Sequence, residues 1–462
     1  MDKNFRNVYF LGIGGIGMSA IARYFLHEGY NVAGYDRTAT PLTRELEAEG
    51  AAVHYTDDPA LIPEVMRSPS DTLVVLTPAI PADHSEWAWL RERGYTIEKR
   101  SQMLGHLSVG KLVMAVAGTH GKTTTSTLAA WLNSAAADEG SAFLGGISRN
   151  FASNLVLGGG NRLVVEADEY DRSFLRLYPD VAVITAADAD HLDIYGTPEA
   201  MHEAFEQFAA QIKVGGALIL KQGVELHFDT THRSLYRYSC DAGGDFHAEN
   251  IRLTSDGHCT YDIVLPDGRI EGCTLGILGK VHIENSVAAV AMLWVAAQIE
   301  GKEFDHDAVR EALRTFEGVK RRMELYINTP KVVYVDDYAH HPEELRATIT
   351  SLRDIFPGRR LTAIFQPHLY TRTRDFAEEF SATLSLADRV ILLPIYPARE
   401  EPIEGVTSEM IGLKVTAPWE LIERDDVPER LQSEEVDVVV TFGAGNIDVI
   451  CGSVAEVLKT RA

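Results

Sequence analysis

An apolar run, Leu112-Val113-Met114-Ala115-Val116-Ala117, leads directly into Gly118-Thr119-His120-Gly121-Lys122-Thr123-Thr124, and a helix-forming run through Leu132 follows. No other feature restricts the fold so strongly. A buried strand, a glycine-rich turn and a helix in that order make the phosphate cradle of a P-loop, which is built on a parallel sheet. The glycines let backbone N–H groups turn toward an anion, and the helix N-terminus adds partial positive charge. Lys122 is placed to reach the outer phosphates of ATP, and Thr123 to offer its hydroxyl to Mg2+. The stricter pattern has a glycine five positions ahead of the Gly-Lys pair. Val116 stands there, so the loop is a shortened variant.

The surrounding pattern agrees with a parallel sheet. Short β-branched runs recur at 7–11, 31–35 and 72–76, at 112–117, 162–165 and 181–185, and at 332–335, 361–365, 390–393 and 438–441. Amphipathic stretches separate them, which is the alternation of an α/β fold. A chain of 462 residues is long for one core, and about 150 residues per domain gives three. The expected domains are a Rossmann-like parallel sheet over 1–108, a P-loop ATPase-like parallel sheet over 109–322, and a second Rossmann-like sheet over 323–462. Between about Ser234 and Leu278 polar and apolar residues alternate around Asp256-Gly257 and Asp267-Gly268. That stretch is expected to be an antiparallel excursion of the middle domain, followed by a helix over 283–299.

A second glycine turn, Gly12-Ile13-Gly14-Gly15-Ile16-Gly17, follows the first strand and opens a helix, with Asp36 at the end of the next strand. This GxGxxG spacing suits any phosphate-linked nucleoside, a nicotinamide dinucleotide included. Asp36 either meets a ribose or base or caps its strand. The formal net charge of -24 argues against a general nucleic-acid surface, because binding many phosphates needs clustered Lys and Arg. Charged residues make up 24% of the chain, and no apolar run of about 18 residues could span a bilayer. The first residues lack the pattern of a signal peptide, so a cytoplasmic protein is expected. Cys240, Cys259, Cys273 and Cys451 show no CxxC pairing and are expected to be reduced structural thiols.

Ligands of open parallel sheets gather beyond the carboxyl ends of the strands. Those ends here are rich in chemistry. One run ends at Glu166-Ala167-Asp168-Glu169 and another at Asp188-Ala189-Asp190-His191-Leu192-Asp193, both expected to face the P-loop. Mg2+ takes oxygen ligands and binds through one or two carboxylates plus substrate phosphates, which suits Glu166 beside Thr123, with His191 for a second metal. In the last third the same rule selects Asp336-Asp337-Tyr338-Ala339-His340-His341-Pro342, Gln366-Pro367-His368, Arg372, Arg374 and Pro397-Ala398-Arg399-Glu400. Arginines at such positions suit carboxylate or phosphate recognition. Gly443-Ala444-Gly445-Asn446 is expected to support that site through its backbone.

With these residues assembled, the chain resembles the Mur ligases across all three domains. The most specific segments are GIGGIGMS from Gly12, GTHGKTTTS from Gly118, EADEYDRSF from Glu166, ADHLDIYG from Ala189, VKRRME from Val319, DDYAHHP from Asp336 and FQPHLYTRTRD from Phe365. The resemblance implies an ATP- and Mg2+-dependent amide ligase that joins L-alanine to the lactyl carboxylate of UDP-N-acetylmuramate in peptidoglycan precursor synthesis. It implies that Gly12, Gly14, Gly15, Ile16 and Gly17, with Asp36, bind the UDP-sugar. ATP would lie on the loop from Gly118 to Thr124, with Asn285 at the adenine, Arg322 at the phosphates and Asp337 at the ribose. Thr123 and Glu166 would hold one magnesium and His191 the other. His368 and Arg372 would lie near the incoming alanine or the reacting carboxylate, and His191, His341 or His368 would take the proton of its ammonium group. The chain departs from the usual pattern at Val281-His282, where a His-Asn pair is common, and at Leu369, where an arginine is. It has no lysine at Phe205-Glu206-Gln207, where ligases for later amino acids carry a carbamylated one. Three other readings stay open: a murein-tripeptide ligase acting on the same sugar nucleotide, a nicotinamide-dependent dehydrogenase that leaves the second loop unexplained, and a P-loop ATP-binding switch that leaves the C-terminal cluster idle.

Overall fold

A computed structural model describes residues 5–135, 139–188, 192–254, 256–398 and 400–461. The chain forms two compact units. Residues 1–251, 261–274 and 283–317 make up the first, and residues 252–260, 275–282 and 318–462 the second.

Two parallel sheets dominate the first unit. Strands β1 (Asn7–Leu11), β2 (Asn31–Tyr35), β3 (Ala52–His54), β4 (Thr72–Leu76) and β5 (Thr96–Lys99) pair in the order β3-β2-β1-β4-β5, every pair parallel. All five residues of β1 are buried, as expected where helices cover both faces of a parallel sheet. The second sheet contains β6 (Leu112–Ala117), β7 (Ser141–Ser148), β8 (Ser153–Val156), β9 (Arg162–Glu166), β10 (Val181–Ile184), β11 (Ala217–Lys221) and β12 (Ser234–Tyr238). Their order is β12-β11-β10-β6-β9-β7-β8. Only β7 and β8 run antiparallel in this sheet.

The register fixes the functional geometry. Val116 of β6 lies beside Glu166 of β9, and Ala117 beside Ile184 of β10. The carboxyl ends of three neighbouring strands therefore meet at the start of the Gly118 loop.

The two sheets of the first unit share one apolar cluster, in which Met18, Phe25, Phe143, Val165 and Phe205 are all buried. A polar joint accompanies it. Asn154 of β8 donates to Ile16 O at 2.6 Å and to Ser19 Oγ at 2.9 Å, and accepts from Arg23 Nη1 at 2.6 Å. Arg23 also pairs with Glu45 and Glu49. The first helix, Ile16–His27, thus belongs to both sheets.

The stretch expected to be antiparallel from Ser234 begins later. Ser234–Tyr238 is an edge strand parallel to β11, and its alternating pattern reflects exposure at a sheet edge. The excursion is a three-stranded sheet of β13 (His247–Leu253), β14 (Cys259–Leu265) and β15 (Gly268–Thr274), in the order β13-β14-β15. Two residues join β14 to β15, a link that only an antiparallel hairpin permits. The helix expected over 283–299 spans Val281–Glu300.

In the second unit a six-stranded sheet contains β16 (Glu324–Asn328), β17 (Val333–Asp337), β18 (Leu361–Phe365), β19 (Arg389–Leu392), β20 (Trp419–Leu421) and β21 (Val438–Phe442). The order is β16-β17-β21-β18-β19-β20. All pairs are parallel except β16 with β17. Among the described residues no helix is long and apolar enough to cross a membrane, and none of the four cysteines forms a disulfide.

Candidate functional site

The Gly118 loop is held open by its glycines and by one threonine. Gly118 has φ +128° and Gly121 φ +80°, backbone that L side chains rarely adopt. Thr185, the residue after β10, donates its hydroxyl to the Ala117 and His120 carbonyls. Thr119 N donates to Ala186 O at 3.2 Å. His120 is exposed, whereas Thr119, Thr123 and Thr124 are buried. Lys122 Nζ donates to Gly118 O at 2.6 Å and to Glu169 Oε1 at 2.7 Å, and the Glu169 side chain is 1% exposed. Burial opposes the ammonium charge, but Glu169 and then Glu166 hold the Lys122 pKa above its ordinary value. Burial pushes the Glu169 carboxyl upward against the pull of Lys122. Lys122 is thus a fixed positive charge, anchored across the loop.

Glu166 closes β9 beside this loop. A Cβ on Gly145 would lie 2.2 Å from both of its carboxylate oxygens, so the carboxylate fills the space that a side chain on β7 would need. Ser126 Oγ lies 3.5 Å from Glu166 Oε2 and donates to Thr123 O at 3.2 Å. A carboxylate fixed in this way, next to hydroxyl-bearing residues at a phosphate cradle, is a hard-oxygen donor set that fits Mg2+. Asn285 sits against the same loop: Thr125 Oγ1 donates to Asn285 Oδ1 at 3.3 Å, and a Cβ on Gly121 would lie 2.9 Å from that oxygen. His191 lies outside the described residues, as does Arg399.

At the first glycine turn, Gly12 has φ +88° and the helix begins at Ile16 with no side-chain cap on its N-terminus. Asp36 faces inward to this turn. Its carboxylate accepts from Gly14 N at 2.8 Å and from Thr38 N at 3.2 Å. It therefore holds the turn in shape. Gly15 and Ile16 are exposed.

The second unit carries its own cluster at the carboxyl ends of β17, β18 and β21. The rings of His340 and His368 lie 5.9 Å apart, and His368 stacks on Tyr396 at 5.8 Å. Arg372 Nη1 is buried with no hydrogen-bond partner among the described residues, and its charge helps depress the His340 pKa after the larger effect of burial. Arg322 lies over the Tyr338 ring at 5.0 Å. His341 opens the helix Pro342–Ile355 and packs edge-on against Phe376, ring centres 4.8 Å apart. Arg374 is exposed. In the segment 443–446 the Gly443 and Gly445 carbonyls accept from Arg321, and the Asn446 side chain accepts from Gln366 Nε2 at 2.9 Å.

Three family profiles match in order along the chain: "Mur ligase family, catalytic domain" over residues 7–111, "Mur ligase middle domain" over 116–293 and "Mur ligase, glutamate ligase domain" over 321–445. The chain belongs to the Mur ligase family. The UDP-N-acetylmuramate–L-alanine ligase of Parabacteroides distasonis is 48% identical over 98% of this chain and 97% of its own length. That of Phocaeicola vulgatus is 48% identical over 98% and 99%. Among solved structures, the UDP-N-acetylmuramate–alanine ligase of Thermotoga maritima superposes with a TM-score of 0.82 at 24% identity, covering 99% of this chain and 100% of that one. A murein peptide ligase of Psychrobacter arcticus gives 0.69 at 22% identity, covering 98% of each. These two structures bear on the fold alone.

In this Mur ligase the structure adds residues to the phosphate loop that no motif singled out. Thr185 and Glu169 shape the loop and anchor its lysine, and Gly145 makes room for Glu166. Glu169 stands within an acidic run already noted, but only the fold distinguishes it from Asp168, which pairs with Arg100 at 3.0 Å.

Asp337 is 6% exposed. It accepts from Thr348 Oγ1 at 2.5 Å and from Ala339 N at 3.2 Å. Burial raises its pKa from 3.8 to about 6. A carboxyl raised on folding binds more protons in the native state than in the unfolded one, so its contribution to stability is present at low pH and is lost as pH rises from about 4 to about 6. The size is roughly 3 kcal/mol at one pH unit per 1.36 kcal/mol. Wild type minus Asp337→Asn stability, from urea unfolding at pH 4 and pH 7.5, should fall by that order. An unchanged difference would mean that the native carboxyl titrates normally.

Proposed function

We propose that this chain is the ATP-dependent ligase that attaches L-alanine to the lactyl carboxylate of UDP-N-acetylmuramate. The observation that carries the reading is the 48% identity to ligases of that name, which runs through 98% of the chain. A carboxylate does not acylate an amine in water, because the leaving group would be an oxide. In the proposed reaction a lactyl carboxylate oxygen attacks the γ-phosphorus of ATP and ADP leaves, giving an acyl phosphate. A base takes a proton from the alanine ammonium group, the freed amine attacks the acyl carbon, and phosphate leaves.

The phosphates of ATP would lie on the backbone of 118–124, with Lys122 and Arg322 meeting the charge that develops in transfer. Thr123 and Glu166 are the residues assigned to Mg2+, which when bound neutralises phosphate oxygens. Asn285 is assigned to the adenine and Asp337 to the ribose. The Gly12 turn and Asp36 are assigned to the UDP moiety, Asp36 by holding the turn. His368 and Arg372 are assigned to the amino acid or the reacting carboxylate. Arg372 supports this with a buried guanidinium N–H that lacks a partner among the described residues, a costly arrangement unless a ligand completes it. His341 and His368 remain the described candidates for the base, and His191 is the third. ATP and UDP-sugars are intracellular metabolites, which supports a cytoplasmic reaction.

The decisive experiment is phosphate release from ATP with each substrate omitted in turn. Release should require both UDP-N-acetylmuramate and L-alanine. Release with a murein tripeptide but not with L-alanine would overturn the assignment in favour of the recycling reaction.

A further inference from the structure

In the first unit a cleft runs between the two parallel sheets, lined by Ile16 and Gly17 of the glycine turn, by Gly145, Glu166 and Asp168 of the central sheet, and by Arg100. Among the described residues lining it, Arg100 is the one cation, against two carboxylates. The guanidinium is fixed from two sides. Its Nη2 pairs with Asp168 Oδ2 at 3.0 Å, and a Cβ on Gly17 would lie 2.5 Å from Nη1 and 3.1 Å from Cδ. Asp168 is its one hydrogen-bond partner among the described side chains, and the Arg100 side chain retains 21% of its exposure. A planar fork with five donors, one edge held by a carboxylate, keeps the others for an incoming oxyanion.

On the reading given above, the sugar nucleotide must stretch from the Gly12 turn to the phosphates beside Glu166, and it brings only negative charge into a cleft that already holds two acids. We infer that Arg100, oriented by Asp168, binds an oxyanion of UDP-N-acetylmuramate within this cleft and sets the affinity of the enzyme for that substrate. Gly17 leaves room for the guanidinium, and Asp168 is a positioning residue. The oxyanion is either the diphosphate or the lactyl carboxylate, and the two are separable with UDP, which has only the former.

The test uses the full-length enzyme with Arg100→Ala, Arg100→Lys and Gly17→Ala, the last displacing the guanidinium without removing its charge. Arg100→Ala should raise KM for UDP-N-acetylmuramate about 10- to 100-fold, the range expected for lost charge-assisted hydrogen bonds. KM for ATP and the melting temperature should stay close to wild type, and the Lys variant should recover part of the loss. In calorimetry, equal weakening of UDP and UDP-N-acetylmuramate assigns Arg100 to the diphosphate, and weakening of the latter alone assigns it to the carboxylate. Unchanged affinity for both, or a parallel rise in KM for ATP with a lower melting temperature, overturns the inference. A wild-type enzyme that fails to bind UDP-N-acetylmuramate would instead refute the proposed function itself.

Discussion

Replacing Lys122 with alanine is expected to lower ATP-dependent turnover at least about 100-fold, the scale of losing one preorganised charge at a transition state, while the protein remains folded. The ammonium is held by Glu169 at 2.7 Å and by the Gly118 carbonyl at 2.6 Å, so it occupies one position before any nucleotide arrives. Preorganisation of this kind removes the cost of reorienting the charge during transfer. The substitution also deprives the buried Glu169 carboxylate of its cation, which costs stability because a charge in a poorly hydrated place needs a partner. The two effects can be separated. Adding Glu169→Gln to Lys122→Ala should recover much of the lost melting temperature and none of the activity. Turnover that survives in Lys122→Ala would show that the loop does not carry the reacting phosphate.

Gly118→Ala should be nearly as damaging, for a reason that lies in the backbone. Its φ of +128° suits glycine alone, and the new Cβ would lie 2.2 Å from Thr185 Oγ1 and within 2.9 Å of both Ala186 N and Ala186 O. The hydroxyl could turn aside, but the Ala186 atoms are backbone, two residues past the end of β10, and cannot. Strain at such a residue costs about 1–3 kcal/mol, and the relief available is a shift of the loop away from its cradle. A drop in melting temperature should therefore accompany a loss of affinity for ATP, read with a non-hydrolysable analogue. If nucleotide affinity stays at the wild-type level, the cradle tolerates a different loop path.

The same two residues show what a linear reading captures and what escapes it. Lys122 was legible because a P-loop is a local device: strand, turn and helix are contiguous, and their chemistry depends on short-range backbone geometry. The first glycine turn, with Asp36 one strand later, is legible for the same reason. Even so, the sequence left open whether Asp36 meets a ligand or caps its strand. Its hydrogen bonds to Gly14 and Thr38 give it the work of holding the turn. Edge elements were harder. Ser234–Tyr238 alternates like a strand of an antiparallel ribbon, but pairs in parallel with β11, since exposure at a sheet edge produces the same alternation.

Hydrophobic period and contiguous motifs carry the α/β class, the two glycine turns, and the strand ends near Glu166, Asp337 and His368, because each of these is local in the chain. Only the tertiary structure decided which distant side chains complete those motifs. Glu169 reaches Lys122 across 47 positions and Arg100 reaches Asp168 across 68. Such pairings depend on strand order and register, which place the ends of β6, β9 and β10 together, and no local pattern encodes that order. The joint between the first helix and β8 is of the same kind. Apolar residues of both sheets fuse into one cluster and Arg23 meets Asn154, so the two parallel sheets of the first unit share one core.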